Sequence, residues 1–421
     1  MSKNETQKKY IYKIVENNKK YKLVVIIIFL FFSFIIIFKS GEYLIQNIIK
    51  SFLFLSFWKD NNFQNLKFSN KENRDKILAK GIKFINKCLY SVNTNFYEQN
   101  KNPIITAIIP LYNCDKTISS SLRSIQNQNN TNIEIILIDD LSTDNSKGII
   151  KQIQINDKRI KLIENKRNMG TLYSRSVGAL LSKGNYILCL DNDDLFFDED
   201  VFDYVYKQSI KDDLDIVQFR ALFTIGSLIN IKNVKDYEFY GFKENLYLYQ
   251  PKLGIWTITL NGKFRIHNNL IWSKSIKSNI YKKAINLLGI QKYSEYVCWA
   301  EDTSISFIIF NIAKSFKYIY KYGYIQRKRK SSASFTQNIN NKLFGEIFFL
   351  DVMLNFSKNN SDKNYAVNMA LRIKKIYKVN KYEQNKRYNY LKTLLNKIVK
   401  NKFIRMKNKK KINFYFNNFL N

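Results

Sequence analysis

Between Pro103 and Leu190 short apolar runs alternate with stretches of helical spacing. Ile104–Ile109 is a β-branched run, and Pro110, which donates nothing to a sheet ladder, is expected to close it. Asp115 or Thr117 offers cap chemistry for a helix to about Gln126. Ile133–Ile138 is the second run and ends at Asp139-Asp140; Leu141-Ser142-Thr143-Asp144 then precedes a helix from about Asn145 to Ile155. Arg159–Ile163 is the third run. Thr171–Ser182 has helical spacing with Gly184 expected to end it, and Tyr186–Leu190 is the fourth run. This alternation predicts a parallel α/β sheet with right-handed crossovers. Farther along, Ile305–Ile312 continues a helix and Gly323–Arg327 reads as a late strand.

Upstream, Leu23–Phe38 is apolar apart from Ser33 and is bracketed by Lys22 and Lys39. As a helix of about 16 residues it spans roughly 24 Å, the short end of what a bilayer needs. No small-residue cleavage site follows, so an uncleaved anchor is expected. Seven lysines against Glu5 and Glu16 precede it, which predicts a cytosolic N-terminus, a type II topology and a lumenal remainder in the Golgi or endoplasmic reticulum. Ile45–Trp58 is more polar and reads as an interfacial or stem segment. The expected division is a basic tail at 1–22, an anchor at 23–39, a stem at 40–100, a catalytic domain at 101–335 and a helical Lys/Asn-rich region at 336–421.

Composition alters this picture little. The net charge of +35 suggests nucleic acid, but the lysines are dispersed and no binding module is present, so no nucleic-acid partner is expected. An anionic membrane surface or substrate fits the charge better. Cys88, Cys114, Cys189 and Cys298 lie far apart and His267 is the single histidine, which argues against zinc. G-x-G-x-x-G after the first strand and G-x-x-x-x-G-K-[ST] are both absent, as is G-x-S-x-G.

The chemistry concentrates at strand ends. Asp139 and Asp140 follow the second run; Asp191, Asn192, Asp193 and Asp194 follow the fourth. In a parallel sheet these ends share the rim where ligands bind. Clustered carboxylates repel one another unless a cation joins them, and oxygen-only donors suit Mg²⁺ or Mn²⁺ holding a diphosphate, with Asp191, Asp193 and Asp194 as the candidate ligands. The plainer reading is a solvated acidic loop that caps the next helix, a role that also suits Asp198-Glu199-Asp200.

I-I-P-L-Y-N at Ile108–Asn113, I-D-D-L-S-T-D-N-S at Ile138–Ser146, N-M-G-T-L-Y-S-R at Asn168–Arg175 and G-N-Y-I-L-C-L-D-N-D-D at Gly184–Asp194, in that order, resemble family 2 glycosyltransferases. The resemblance is strong from Pro103 to Ala221 and weaker to about Ser334. It implies an α/β GT-A fold with a mostly parallel central sheet, here with an N-terminal membrane helix and a helical tail. It implies that Pro110 and Tyr112 line a nucleotide pocket, that Asp140 with Asp139 contacts the base or ribose, and that Arg175 contacts the diphosphate or orders its loop. Asp191, Asn192 and Asp193 match the D-x-D motif, with Asp193 first for the metal. Glu301 and Asp302 resemble the family's E-D pair, with Asp302 as general base. The segment His267–Lys274 falls where an acceptor site is often carried. Trp256, Trp272 and Trp299 are candidates for sugar stacking or for core. Arg327–Ser334 resembles a loop that closes over the diphosphate.

The expected activity is metal-dependent, inverting transfer from a nucleotide sugar, a UDP-sugar by family habit, to a glycan, glycoprotein or glycolipid hydroxyl. Three alternatives stand beside it: a polyprenyl-phosphate glycosyltransferase on the cytosolic face, a D-x-D phosphohydrolase, and a non-catalytic lectin-like membrane module.

Overall fold

The computed structural model describes residues 71–91, 93–225, 234–236, 247–249, 257–260, 263–266, 270–290, 297, 299–328, 339–356 and 393. The expected basic tail, anchor and segment 45–58 lie outside these residues, as do Trp256 and His267. Among the described residues no helix is long and apolar enough to cross a membrane.

Helix α1 (Lys71–Tyr90) comes first. There follow β1 (Ile105–Leu111), α2 (Ile118–Gln126), β2 (Ile133–Asp139), α3 (Ser146–Asn156), β3 (Ile160–Glu164), α4 (Thr171–Leu181) and β4 (Tyr186–Cys189). The second half holds β5 (Leu195–Phe196), α5 (Val201–Lys211), β6 (Ile216–Ile225), β7 (Val234–Asp236), β8 (Tyr247–Tyr249), β9 (Thr257–Leu260) and β10 (Lys263–Ile266). Then come β11 (Lys274–Lys277), α6 (Ser278–Leu288), α7 (Glu301–Ile312), β12 (Ser315–Lys328) and α8 (Ile339–Phe356).

The large sheet runs β3-β2-β1-β4-β11-β6-β12-β5, with β7 on β6 and β8 on β12; β9 and β10 form a separate ribbon. The first four strands are parallel, as the alternation of strand and helix predicts. Beyond them β11 enters antiparallel between β4 and β6, and the sheet becomes mixed, although β12 again lies parallel to β6.

Alternation along each strand feeds two cores. Ile105, Ala107, Ile109 and Leu111 of β1 face one cluster with Leu122 of α2 and Val205 of α5; Ile108 faces the other with residues of α4, α6, α7 and α8. Each fully buried isoleucine contributes roughly 1.5–3 kcal/mol. Leu350 and Met353 of α8 sit in the same cluster as Phe307 of α7, so residues 339–356, expected in a separate C-terminal region, share the core of the preceding domain. Helix α1, expected within a stem, likewise buries Leu78, Ile85 and Cys88, and Arg123 of α2 donates to the Cys88 carbonyl.

Two local expectations change. Strand β1 runs through Pro110 to Leu111. The β4 pairing ends at Ile108↔Cys189, so on that side the missing N–H of Pro110 costs no ladder bond. Gly184 does not end α4, which stops at Leu181. Its lack of a side chain serves close packing, because a Cβ there would lie 2.5 Å from the Thr106 amide nitrogen.

Candidate active site

The loops after β1 and β2 are laced together. Asn113, in the left-handed region at φ 47, takes a hydrogen bond from the Thr143 amide on its Oδ1 at 2.8 Å, and its own amide donates to Ser142 Oγ at 3.0 Å. The Cys114 amide donates to Ser146 Oγ at 2.8 Å and the Asp115 amide to Asp144 Oδ2 at 3.0 Å. The S-T-D-N-S run thus builds one wall of the rim. Tyr112 and Leu141 stand exposed on it.

Asp140 and Asp139 divide the work differently from the expectation that Asp140 meets the nucleotide. Both Asp140 oxygens are committed to protein: Oδ1 accepts from Asn165 Nδ2 and the Met169 amide, each at 2.8 Å, and Oδ2 accepts from the Gly170 amide at 2.7 Å. Gly170 has φ 85, which suits glycine, and its neighbour Thr171 opens α4. Asp140 therefore shapes the loop that aims α4. Asp139 is fully buried; its Oδ2 accepts from the Ser142 amide at 3.1 Å, while its Oδ1 has no hydrogen-bond partner among the described residues. A buried carboxylate oxygen is ordinarily hydrogen-bonded, which sets Asp139 apart from Asp140.

The acidic loop after β4 lies beside the same strand end. Asn192 Nδ2 donates to the Pro110 carbonyl at 2.9 Å, so Asn192 fastens the loop to β1 while Asp139 pairs with Leu111 on the other side. The two acid groups thus flank the carboxyl end of one strand. Ser121 of α2 places its hydroxyl 2.9 Å from the Asn192 carbonyl and 2.8 Å from that of Asp194.

Asp194 is buried and both its oxygens are taken, Oδ2 by the Tyr324 hydroxyl at 2.7 Å and Oδ1 by the Arg327 amide at 2.8 Å. The Asp191 amide donates back to the Tyr324 hydroxyl at 3.3 Å. Burial, then the neighbouring Asp193 and Asp191, hold the Asp194 carboxyl well above the usual range. Its geometry is that of a loop anchor rather than of a metal ligand. Arg327, expected in a loop over the diphosphate, also donates to the Asp193 carbonyl and to Ser120 Oγ. Trp272 is buried and stacks on Tyr324 at 4.6 Å, which makes it core. Trp299 remains partly exposed, beneath the Lys342 ammonium.

Arg175 ties the halves together. From α4 it donates to Asp191 Oδ1 at 2.5 Å and to Asp302 Oδ1, with Glu301 Oε1 at 3.8 Å. The Ile271 amide reaches Asp302 Oδ2 at 3.4 Å. Burial is the largest influence on each charge here. It pushes Asp191 up to about 6 and Glu301 up to about 8, against the pull of Arg175. The guanidinium itself is held firmly protonated by Asp302, Asp191 and Glu301.

Among the described residues no group of three or more His, Cys, Asp or Glu side chains is arranged as a metal cage. Asp191 and Asp193, both partly exposed, are the carboxylates of this loop that would supply oxygen donors to a hard divalent cation.

Of the expected site residues, the structure gathers Pro110, Tyr112, Asp139, Asp191, Asn192 and Asp193 at one rim and joins Arg175, Glu301 and Asp302 to Asp191. Tyr324, which holds Asp194, was missed, and Lys274 was expected only as the last residue of the segment His267–Lys274. Tyr324 lay within a strand reading that assigned it no contact, and only the burial of Lys274 marks it out.

The family model for glycosyl transferase family 2 matches residues 106–269. An uncharacterized glycosyltransferase of Haemophilus influenzae is 31% identical over 176 residues, which is 42% of this chain and 64% of that protein. Glycosyltransferase GlyG of Streptococcus pneumoniae is 33% identical over 114 residues, 27% of this chain and 38% of GlyG. The Escherichia coli UDP-Glc:alpha-D-GlcNAc-diphosphoundecaprenol beta-1,3-glucosyltransferase WfaP is 41% identical over 91 residues, 22% of this chain and 36% of WfaP. The chain thus spans less than two thirds of each of these relatives. The crystal structure of S. aureus TarS 1–349 with UDP-GlcNAc superposes with a TM-score of 0.49 at 15% identity, over 70% of this chain and 80% of that one. Over residues 106–269 the chain is thus similar to glycosyl transferase family 2.

Proposed function

We propose that this protein transfers a sugar from a nucleotide-sugar donor to an acceptor hydroxyl by a single inverting displacement. The observation that carries the reading is Arg175, which links the D-x-D residue Asp191 to the E-D pair Glu301-Asp302 in one buried charge cluster. In this reading the nucleoside rests on the wall bearing Tyr112, and a base or ribose donor satisfies Asp139 Oδ1. Asp191 and Asp193 hold Mn²⁺ or Mg²⁺; the ion, when bound, offsets charge on the departing diphosphate. Asp302 accepts the hydroxyl proton. Each of its oxygens carries a second lone pair beyond its present donor, so it can do so without leaving Arg175. Arg175 fixes the separation of donor and base.

A UDP-sugar donor is favoured by the match to WfaP, whose name specifies UDP-Glc, and a glycan or lipid-linked acceptor by the diphosphoundecaprenol in the same name. Attachment to a membrane through 23–38 belongs to the same proposal. The test is nucleoside diphosphate release by the full chain in detergent, with Mn²⁺, across a panel of nucleotide sugars. Turnover that is lost in Asp193→Ala and in Asp302→Asn is expected. Silence with every donor, or unaltered turnover in both variants, overturns the proposal.

A further inference from the structure

Lys274 opens β11 with its side chain almost wholly buried, at 1% exposure. An ammonium removed from water is costly unless it is paired. Among the described residues its hydrogen-bond partner is a neutral group, the carbonyl of Leu270. Burial pushes it down to about 7, opposed by the charge of Asp302. In the β11–β6 register Lys274 stands opposite Gln218, so both side chains face the same layer. That layer is the one holding α7, because Ile276, two residues along β11, shares a core cluster with Ile308 of α7. Gln218 is fully buried, and neither its Oε1 nor its Nε2 has a partner among the described residues. The preceding residue, Ser273, sits in the left-handed region at φ 58. Such strain costs on the order of 1–3 kcal/mol and concentrates at functional sites.

The chain thus accepts a buried cation and a strained serine side by side. What these secure is the path of Leu270–Ile271 past Asp302, where the Ile271 amide meets Asp302 Oδ2 at 3.4 Å. We propose that Lys274 is a positioning residue for transfer: by gripping the Leu270 carbonyl it holds the Ile271 amide on Asp302, and it places a second cation, after Arg175, beside that base. This rests on Asp302 being the base.

The test uses the full chain with the donor and acceptor that give turnover, and compares wild type with Lys274→Met and Lys274→Arg. Lys274→Met is expected to lower kcat about tenfold or more while the donor KM stays within about twofold, because a displaced base slows chemistry without weakening nucleotide binding. Lys274→Arg, which keeps both charge and donor, is expected to recover kcat to within about threefold. Should Lys274→Met fail to fold, Lys274→Gln, which keeps a donor and loses the charge, takes its place with the same expected split. Wild-type kcat in the neutral variant overturns the proposal, as does a loss confined to KM or an arginine variant as slow as the neutral one. If wild type itself releases no nucleoside diphosphate, the proposed function fails and this inference with it; if wild type turns over and the neutral variant equals it, this inference alone fails.

Discussion

Asp191, just beyond the end of β4, and Asp302, in the first turn of α7, accept hydrogen bonds from one guanidinium, that of Arg175. Two motifs that lie far apart in sequence are thereby set at a fixed separation before any ligand arrives. The price is a cluster in which the Arg175 guanidinium itself faces three carboxylates.

Removing that cation leaves buried charge uncompensated. Arg175→Met should cost about 3–5 kcal/mol of stability at neutral pH, the usual penalty for breaking a buried pair. The deficit should shrink in mild acid, where the raised Asp191 and Glu301 carboxyls take up protons. Urea unfolding at pH 8 and pH 5.5 measures both values. An equal deficit at the two pH values contradicts the account.

Glu301 makes stability depend on pH. Its folded value, about 8, lies above its ordinary 4.5, so the native state keeps a proton that the unfolded chain has released. Its contribution therefore declines as pH rises through the interval from 4.5 to about 8 and is flat above it. Glu301→Gln removes this decline and should gain on wild type with rising pH, by on the order of 1 kcal/mol or more at pH 8. Parallel stability profiles would show that Glu301 is not buried in its charged form.

Asp193 and Asp194, neighbours in sequence, should separate in a metal titration. Asp193→Asn is expected to weaken Mn²⁺ binding in the presence of UDP by about tenfold or more, since it removes one anionic donor. Asp194→Asn should leave Mn²⁺ affinity within about threefold while lowering the melting temperature, because an amide cannot accept on both atoms and leaves a buried donor unsatisfied, at about 1–3 kcal/mol. Calorimetric titration of both variants decides; the reverse ranking would make Asp194 the ligand.

Gly345 of α8 lies against the backbone of Trp299, and a Cβ there would collide with its carbonyl. Gly345→Ala should push Trp299 and the left-handed Ala300 aside and with them the start of α7. Both stability and turnover should fall, the latter about tenfold. A stable variant with full turnover would show that α8 and α7 move independently.

The parallel half was legible in the sequence because its strands are short, mostly apolar runs closed by helix-cap or turn residues. The predicted runs at 133–138 and 186–190 match β2 and β4 within a residue at each end. That the acid clusters would lie together was legible because the ends of parallel strands share one rim. Their division of labour was not. Asp139 and Asp140 are identical letters, and which one is taken up by the loop before α4 depends on donors from Asn165, Met169 and Gly170 that only tertiary structure supplies. Asp194 likewise depends on Tyr324 and Arg327, far along the chain. The insertion of β11 between β4 and β6 leaves no mark in a local pattern, since a four-residue strand reads the same in either direction.

Strands β6 and β11 are neighbours in the sheet, yet some fifty residues separate the end of one from the start of the other. Lys274 opens β11 opposite Gln218, well before β6 ends at Ile225, and the chain between them gives β7 to β6 and β8 to β12. The returning end carries the Ile271 amide to Asp302, so the excursion is woven into the charge cluster and not merely laid over the sheet.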